Sequence, residues 1–181
     1  MPRLRLISSI VAVFALVAGP AVAQDLSAAD RTAIEARVAH LEQIVGGGDL
    51  AGALETVPPR IFRTIAARAG ATEEQLMSAM REMIRTQLSG VTVLGYDMDL
   101  AAAPPLLTPD GSRTYLLIPT TTTMQTPAAR VRTRNQTLAL KEDGVWYMIR
   151  IDDQNQISMI RDLWPEFAAV DFPTGTMEAA D

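Results

Sequence analysis

Arg130, Arg132, Arg134 and Gln136 alternate along a run that reads as a β-strand, and Leu138 and Leu140 continue the same side. Asp143-Gly144 is a strong hairpin signal. With an even loop, the even positions of this strand share a face with Tyr147, Ile149 and Ile151 of the next. That face is apolar at one end and carries guanidinium and amide groups at the other, which suits a pocket with a polar mouth. Arginines placed there can clamp a carboxylate or a phosphate. With Tyr96 from an earlier strand, the candidate ligand-binding set is Tyr96, Arg132, Arg134, Gln136, Leu138, Tyr147 and Ile149. Two alternatives stay open. A three-residue bulged loop would move the arginines to the other face, and a solvated strand end would pair them with acids such as Asp152 or Asp153.

The remaining reactive residue types form no catalytic pattern. His40, the single histidine, can act as a general base only if a carboxylate orients it inside a pocket. It lies beside Arg37 and Glu42, off the apolar stripe of its helix, and is expected at the surface. Tyr96 and Asp97 are strand neighbours, so they point to opposite faces and cannot work as a pair. Asp97, Asp99, Asp152 and Asp153 supply too few oxygens, at the wrong spacing, for a hard cation that wants about six. Met77, Met80 and Met83 fall at helical spacing and read as core filler, and Thr120 to Thr123 suit a strand by shape. Asn135-Gln136-Thr137 matches a glycosylation sequon by chance. There is no cysteine, so no thiol nucleophile, thiolate metal site or disulfide exists. No Gly-x-Ser-x-Gly, phosphate loop, dinucleotide fingerprint or zinc histidine pair occurs. No catalytic residue, metal ligand or cofactor site is assigned.

The elements that must position these residues divide into a helical half and a strand half. Ser27 caps a first helix, with Asp30 at its third position and Ile34, Val38, Leu41 and Val45 at helical spacing, ended by Gly46-Gly47-Gly48. A short turn over 49–56 precedes Pro58-Pro59, and Pro59 opens a helix carrying Ile61, Phe62 and Ile65 that stops at Gly70. Thr72 and Gln75 form a capping box for a third helix with Leu76, Met80, Met83, Ile84 and Leu88 on its apolar side, ending near Gly90. From there the period becomes alternating. Strands are expected over 91–100, with Leu94, Tyr96, Met98 and Leu100 on one side, then over 113–124, 130–140 and 145–151. Pro119 implies an edge or a bulge in the second strand. Residues 171–181 read as a flexible tail.

The first residues read as an export address. Arg3 and Arg5 precede an apolar run over 6–19 that falls short of the roughly 20 residues of a membrane span. Pro20 and Ala21-Val22-Ala23 then supply a break and a cleavage site after Ala23. A periplasmic or secreted protein without a membrane anchor is expected, with the domain over 24–170. The formal charge of the 181 residues is −5 and becomes more negative when those two arginines leave. No basic run exists, which argues against nucleic acid as a partner.

Three helices followed by a curved antiparallel sheet resemble the nuclear transport factor 2-like, cystatin-like cone superfamily. The residues most like it are Gln136-Thr-Leu-Ala-Leu-Lys-Glu-Asp-Gly-Val-Trp-Tyr-Met-Ile-Arg-Ile-Asp152. Together with Ile157-Ser158-Met159 and Trp164-Pro165-Glu166-Phe167, this hairpin is also similar to the periplasmic phospholipid-shuttle protein of the Mla pathway. The resemblance implies an α+β cone, helices packed on a curved sheet of about four strands, and it hosts many functions. The expectation is a non-catalytic, exported protein that binds a small apolar or amphipathic ligand, lipid-like and with an acidic group, in a cone-shaped pocket. One alternative is a homodimerising interaction module that uses Trp146, Met148 and Ala139 as an outer apolar patch. The other is a cofactor-free isomerase or hydrolase.

Overall fold

Ser27 caps the first helix as its spacing predicts, its hydroxyl accepting the Asp30 N–H at 3.1 Å. In the computed structural model, which describes residues 25–180, this helix, α1, spans Ala28–Gly46 and buries Ile34, Val38, Leu41 and Val45. The predicted signal segment, residues 1–23, lies outside the described residues. A 3₁₀ turn over Gly52–Thr56 leads to α2, Pro59–Ala69, closed by Gly70 in the left-handed region at φ 64°. Both halves of the Thr72/Gln75 capping box form at the start of α3, Glu73–Gln87. That helix differs from the others in burying no side chain.

The strand half follows the change of period at Gly90. The strands are β1 Thr92–Met98, β2 Leu106–Leu107, β3 Thr114–Gln125, β4 Arg130–Glu142, β5 Val145–Ile151 and β6 Thr176–Ala179. All pairings are antiparallel, in the order β1-β3-β4-β5, with β2 on β3 and β6 on β4. The fold is therefore α+β, with helices packed on a curved antiparallel sheet that closes into a half-barrel. Asp143 and Gly144, at φ 50° and 81°, make the two-residue turn that a right-twisted hairpin favours. It pairs Leu138 with Ile149 and Leu140 with Tyr147, the register expected for an even loop.

Two expectations change in the sheet. Leu94 does not continue the face of Tyr96 and Met98, because a β-bulge between Val93 and Gly95 takes it out of the alternation and leaves it exposed. β3 is not an edge strand, yet Pro119 lies at a local gap. Its carbonyl accepts the Asp99 N–H at 2.9 Å just past the end of β1. In an antiparallel strand N–H and C=O point the same way, so the missing donor faces that gap and breaks no β3–β4 bond.

The sheet is buried on both faces. On one, α1 packs against Leu116, Ile118, Ala139, Trp146 and Met148. Trp146, Met148 and Ala139 are therefore core beneath a helix, not the outer patch that the interaction-module alternative requires. On the other face, Leu138, Leu140, Ile149 and Ile151 meet a fourth helix, α4, Gln154–Leu163, and the segment after it through Trp164, Phe167, Val170 and Phe172. Arg60 of α2 ties this side together. Its Nε meets Glu142 Oε1 at 2.6 Å, its Nη1 donates to the Leu163 carbonyl at 3.0 Å, and its guanidinium lies 5.6 Å from the Trp164 ring centre.

Candidate functional site

The predicted ligand-binding residues fall on two faces. Arg132, Arg134, Gln136, Leu138, Tyr147 and Ile149 share the α4 face, whereas Tyr96, paired with Thr122, lies on the α1 face. The apolar part of the strip is filled, because α4 lays Ile157 and Ile160 over Leu138 and Ile149, both of which are buried. Tyr147 and Gln136 are half-buried. At the basic end Glu178 of β6 meets Arg134 Nη1 at 2.6 Å and Arg132 Nη1 at 3.7 Å. The arginines thus pair with an acid, as the solvated-end alternative had it, though the acid is Glu178. Asp152 instead binds Arg150 Nε at 2.8 Å, and Asp153 caps α4 by accepting from the Asn155 and Gln156 N–H groups.

The α1 face offers the better cavity. Beyond Met148 the sheet presents the cross-strand rows Ile118–Thr137–Arg150, Met98–Thr120–Asn135 and Tyr96–Thr122–Thr133. A cleft of about 230 Å³ opens there. Its floor includes Tyr96, Thr137, Met148 and Arg150, and its walls are Leu41 and Val45 of α1, Leu54 and Val57 of the 3₁₀ region, Ile84 of α3 and Leu88 just after it. Helix period and strand parity converge on this arrangement, each element turning an apolar side inward. Besides the sheet residues, Thr56 of the 3₁₀ turn is a polar lining side chain, and its hydroxyl donates to the Ala53 carbonyl at 2.8 Å.

Polarity on this face rises away from Met148. Thr120 and Thr137 share a hydrogen bond at 2.8 Å. Farther on, the Oγ1 atoms of Thr122 and Thr133 and the Oδ1 of Asn135 are buried without a protein partner among the described residues. Burial pushes the Tyr96 hydroxyl up to about 12; Arg150 and a hydrogen bond with Thr137 oppose the rise, while Glu42 and Asp152 add to it. Tyr96 therefore stays a neutral donor at ordinary pH. Glu42 reaches the same region from α1, accepting the Met98 N–H at 3.0 Å.

His40, Asp97 and Asp99 are exposed. Asp30 is partly buried but occupied by Lys141, Trp146 and Ser27. Among the described residues no group of three or more histidine, cysteine or acidic side chains is placed to hold a metal ion. Sequence reasoning missed Arg150, Thr137, Leu54 and Ile84 as lining residues. The hairpin parity held the signal for the first two, since it sets even positions of β5 against odd positions of β4. Nothing in the sequence set α3 above that face. No protein-family model, no curated protein and no solved structure matches this chain.

Proposed function

We propose that the chain is an exported, non-catalytic binding protein of the cone-shaped α+β type, which takes a small apolar or amphipathic ligand in the cleft between α1, α3 and the sheet. The supporting observation is the composition of that cleft, apolar on the helical walls and bearing Tyr96, Thr137 and Arg150 on the floor. Small-molecule sites combine such walls with a few placed polar groups. Among the described residues the ionisable groups lining the cleft are Tyr96 and Arg150, neither of which is a base near neutral pH for an isomerase or hydrolase. Among the described residues no helix is long and apolar enough to cross a membrane.

Native mass spectrometry of the purified protein, before and after denaturation and refolding, tests this reading. The expected result is a bound small mass that refolding removes, and apo protein that then binds the neutral dye Nile red. Ile84→Arg puts a charge at the wall of the cleft from a half-exposed position. It should abolish dye binding while leaving the thermal midpoint within a few degrees. Apo protein that binds no dye would sink the proposal.

A further inference from the structure

The charges around the polar end of the cleft constrain what its occupant carries. Among the described residues Arg150 is the one cation lining it. Its Nε is bound to Asp152 Oδ1 at 2.8 Å, and the same oxygen receives Asn135 Nδ2 at 3.1 Å. Glu42 brings a second carboxylate to this region through the Met98 N–H. Asp152 offsets the guanidinium and Glu42 adds a carboxylate near Tyr96, which leaves the end net negative, within a protein whose formal charge is already −5. The Tyr96 hydroxyl and the guanidinium that line the cavity can nevertheless donate, whereas the proton of the Thr137 hydroxyl is taken up by Thr120, whose own proton goes to the Ile118 carbonyl. Donors in a negative field favour an acceptor that has no charge of its own, because a carboxylate would lose its hydration beside Asp152 and Glu42.

Volume constrains the rest of the occupant. At about 30 Å³ for a water-sized group, a cleft of about 230 Å³ holds roughly eight such groups. That is one short chain, not two acyl tails. Polarity increases toward Tyr96, so the head lies at the Tyr96 row and the chain runs toward Leu54, Ile84 and Leu88.

We infer that the cleft selects an uncharged, single-chain acyl compound of about eight non-hydrogen atoms, with an ester, lactone or amide carbonyl as its head, over the corresponding carboxylate. This rests on the cleft being the ligand site. It replaces the acidic ligand that the arginine strip suggested.

The test is a calorimetric and Nile red displacement series on the refolded full domain, using methyl esters from four to twelve carbons and octanoate at pH 7.5. Affinity of the esters should rise about fourfold per methylene up to about six acyl carbons and then level off. Octanoate should bind about tenfold more weakly than methyl octanoate. Asp152→Asn should narrow that gap by strengthening octanoate, and Glu42→Gln serves the same purpose if the first variant melts early. Octanoate binding as tightly as the ester, or ester affinity climbing unabated to twelve carbons, would overturn the inference while leaving the cleft as a binding site. If no compound binds and the dye is not held, the proposed function itself fails.

Discussion

Asp30 accepts three side-chain hydrogen bonds, two of which tie α1 to the β4–β5 hairpin. Its Oδ1 accepts from Lys141 Nζ at 2.7 Å and Trp146 Nε1 at 2.8 Å, and its Oδ2 accepts from Ser27 Oγ at 2.8 Å. The Lys141 hydrogen bond foremost, then those of Trp146 and Ser27, hold its carboxyl down at about 2 against an ordinary 3.8. A depressed folded-state value stabilises the protein above pH 3.8 and loses that contribution as pH falls through about 2. Asp30→Asn should therefore cost about 1 kcal/mol at pH 7, allowing for solvent screening at this partly open site. Urea midpoints of variant and parent should converge near pH 2, and a constant difference from pH 7 to pH 2 would contradict the assignment. The Ser27–Asp30 cap was legible because its partners are three residues apart. Lys141 and Trp146 were not, since no local period encodes a partner more than a hundred residues away.

At the scale of elements, α1 and α3 show how far periodicity reaches. Both carry a regular apolar stripe, yet α1 buries four side chains against the sheet and α3 buries none. Met83 is 47% exposed and Leu88 39%. Period alone tells which side of a helix is apolar, not how completely another element covers it. The helix with fewer buried contacts opens at lower cost. Brief trypsin treatment should therefore cut first at Arg81 or Arg85 in α3, ahead of Arg31 or Arg37 in α1, as mass mapping of the fragments would show. First cleavage within α1 would reverse the ranking. α4 was hidden for a different reason. Asp153 is a sound cap and Ile157, Ile160 and Trp164 have helical spacing, but ten residues between a strand and Pro165 give the period little room.

For the whole molecule, the sheet separates two interiors, and the chain's last residues belong to one of them. Val170 and Phe172 are buried in the α4-side core, whereas all four residues of β6 are exposed. Residues 171–181 carry no apolar period, so Phe172 reads as part of a tail and β6 leaves no signal. Ending the chain after Pro173 should leave a cooperative fold, while ending it after Ala169 should cost several kcal/mol through the loss of Val170 and Phe172. Thermal unfolding followed by circular dichroism distinguishes the two, and equal midpoints would remove the C-terminal segment from the core. The hairpin register and the helical stripes could be read in advance because turn geometry and side-chain period are local. The cleft could not, because it depends on how α3 hangs over a sheet face. Arg60 gives the α4 side a further property. One guanidinium there touches the tip of the β4–β5 hairpin, the end of α4 and the ring of Trp164, so none of these can leave without releasing the others' shared partner. Elements far apart in sequence thus share one partner, so a single substitution at Arg60 would loosen the hairpin tip, the end of α4 and the Trp164 ring together.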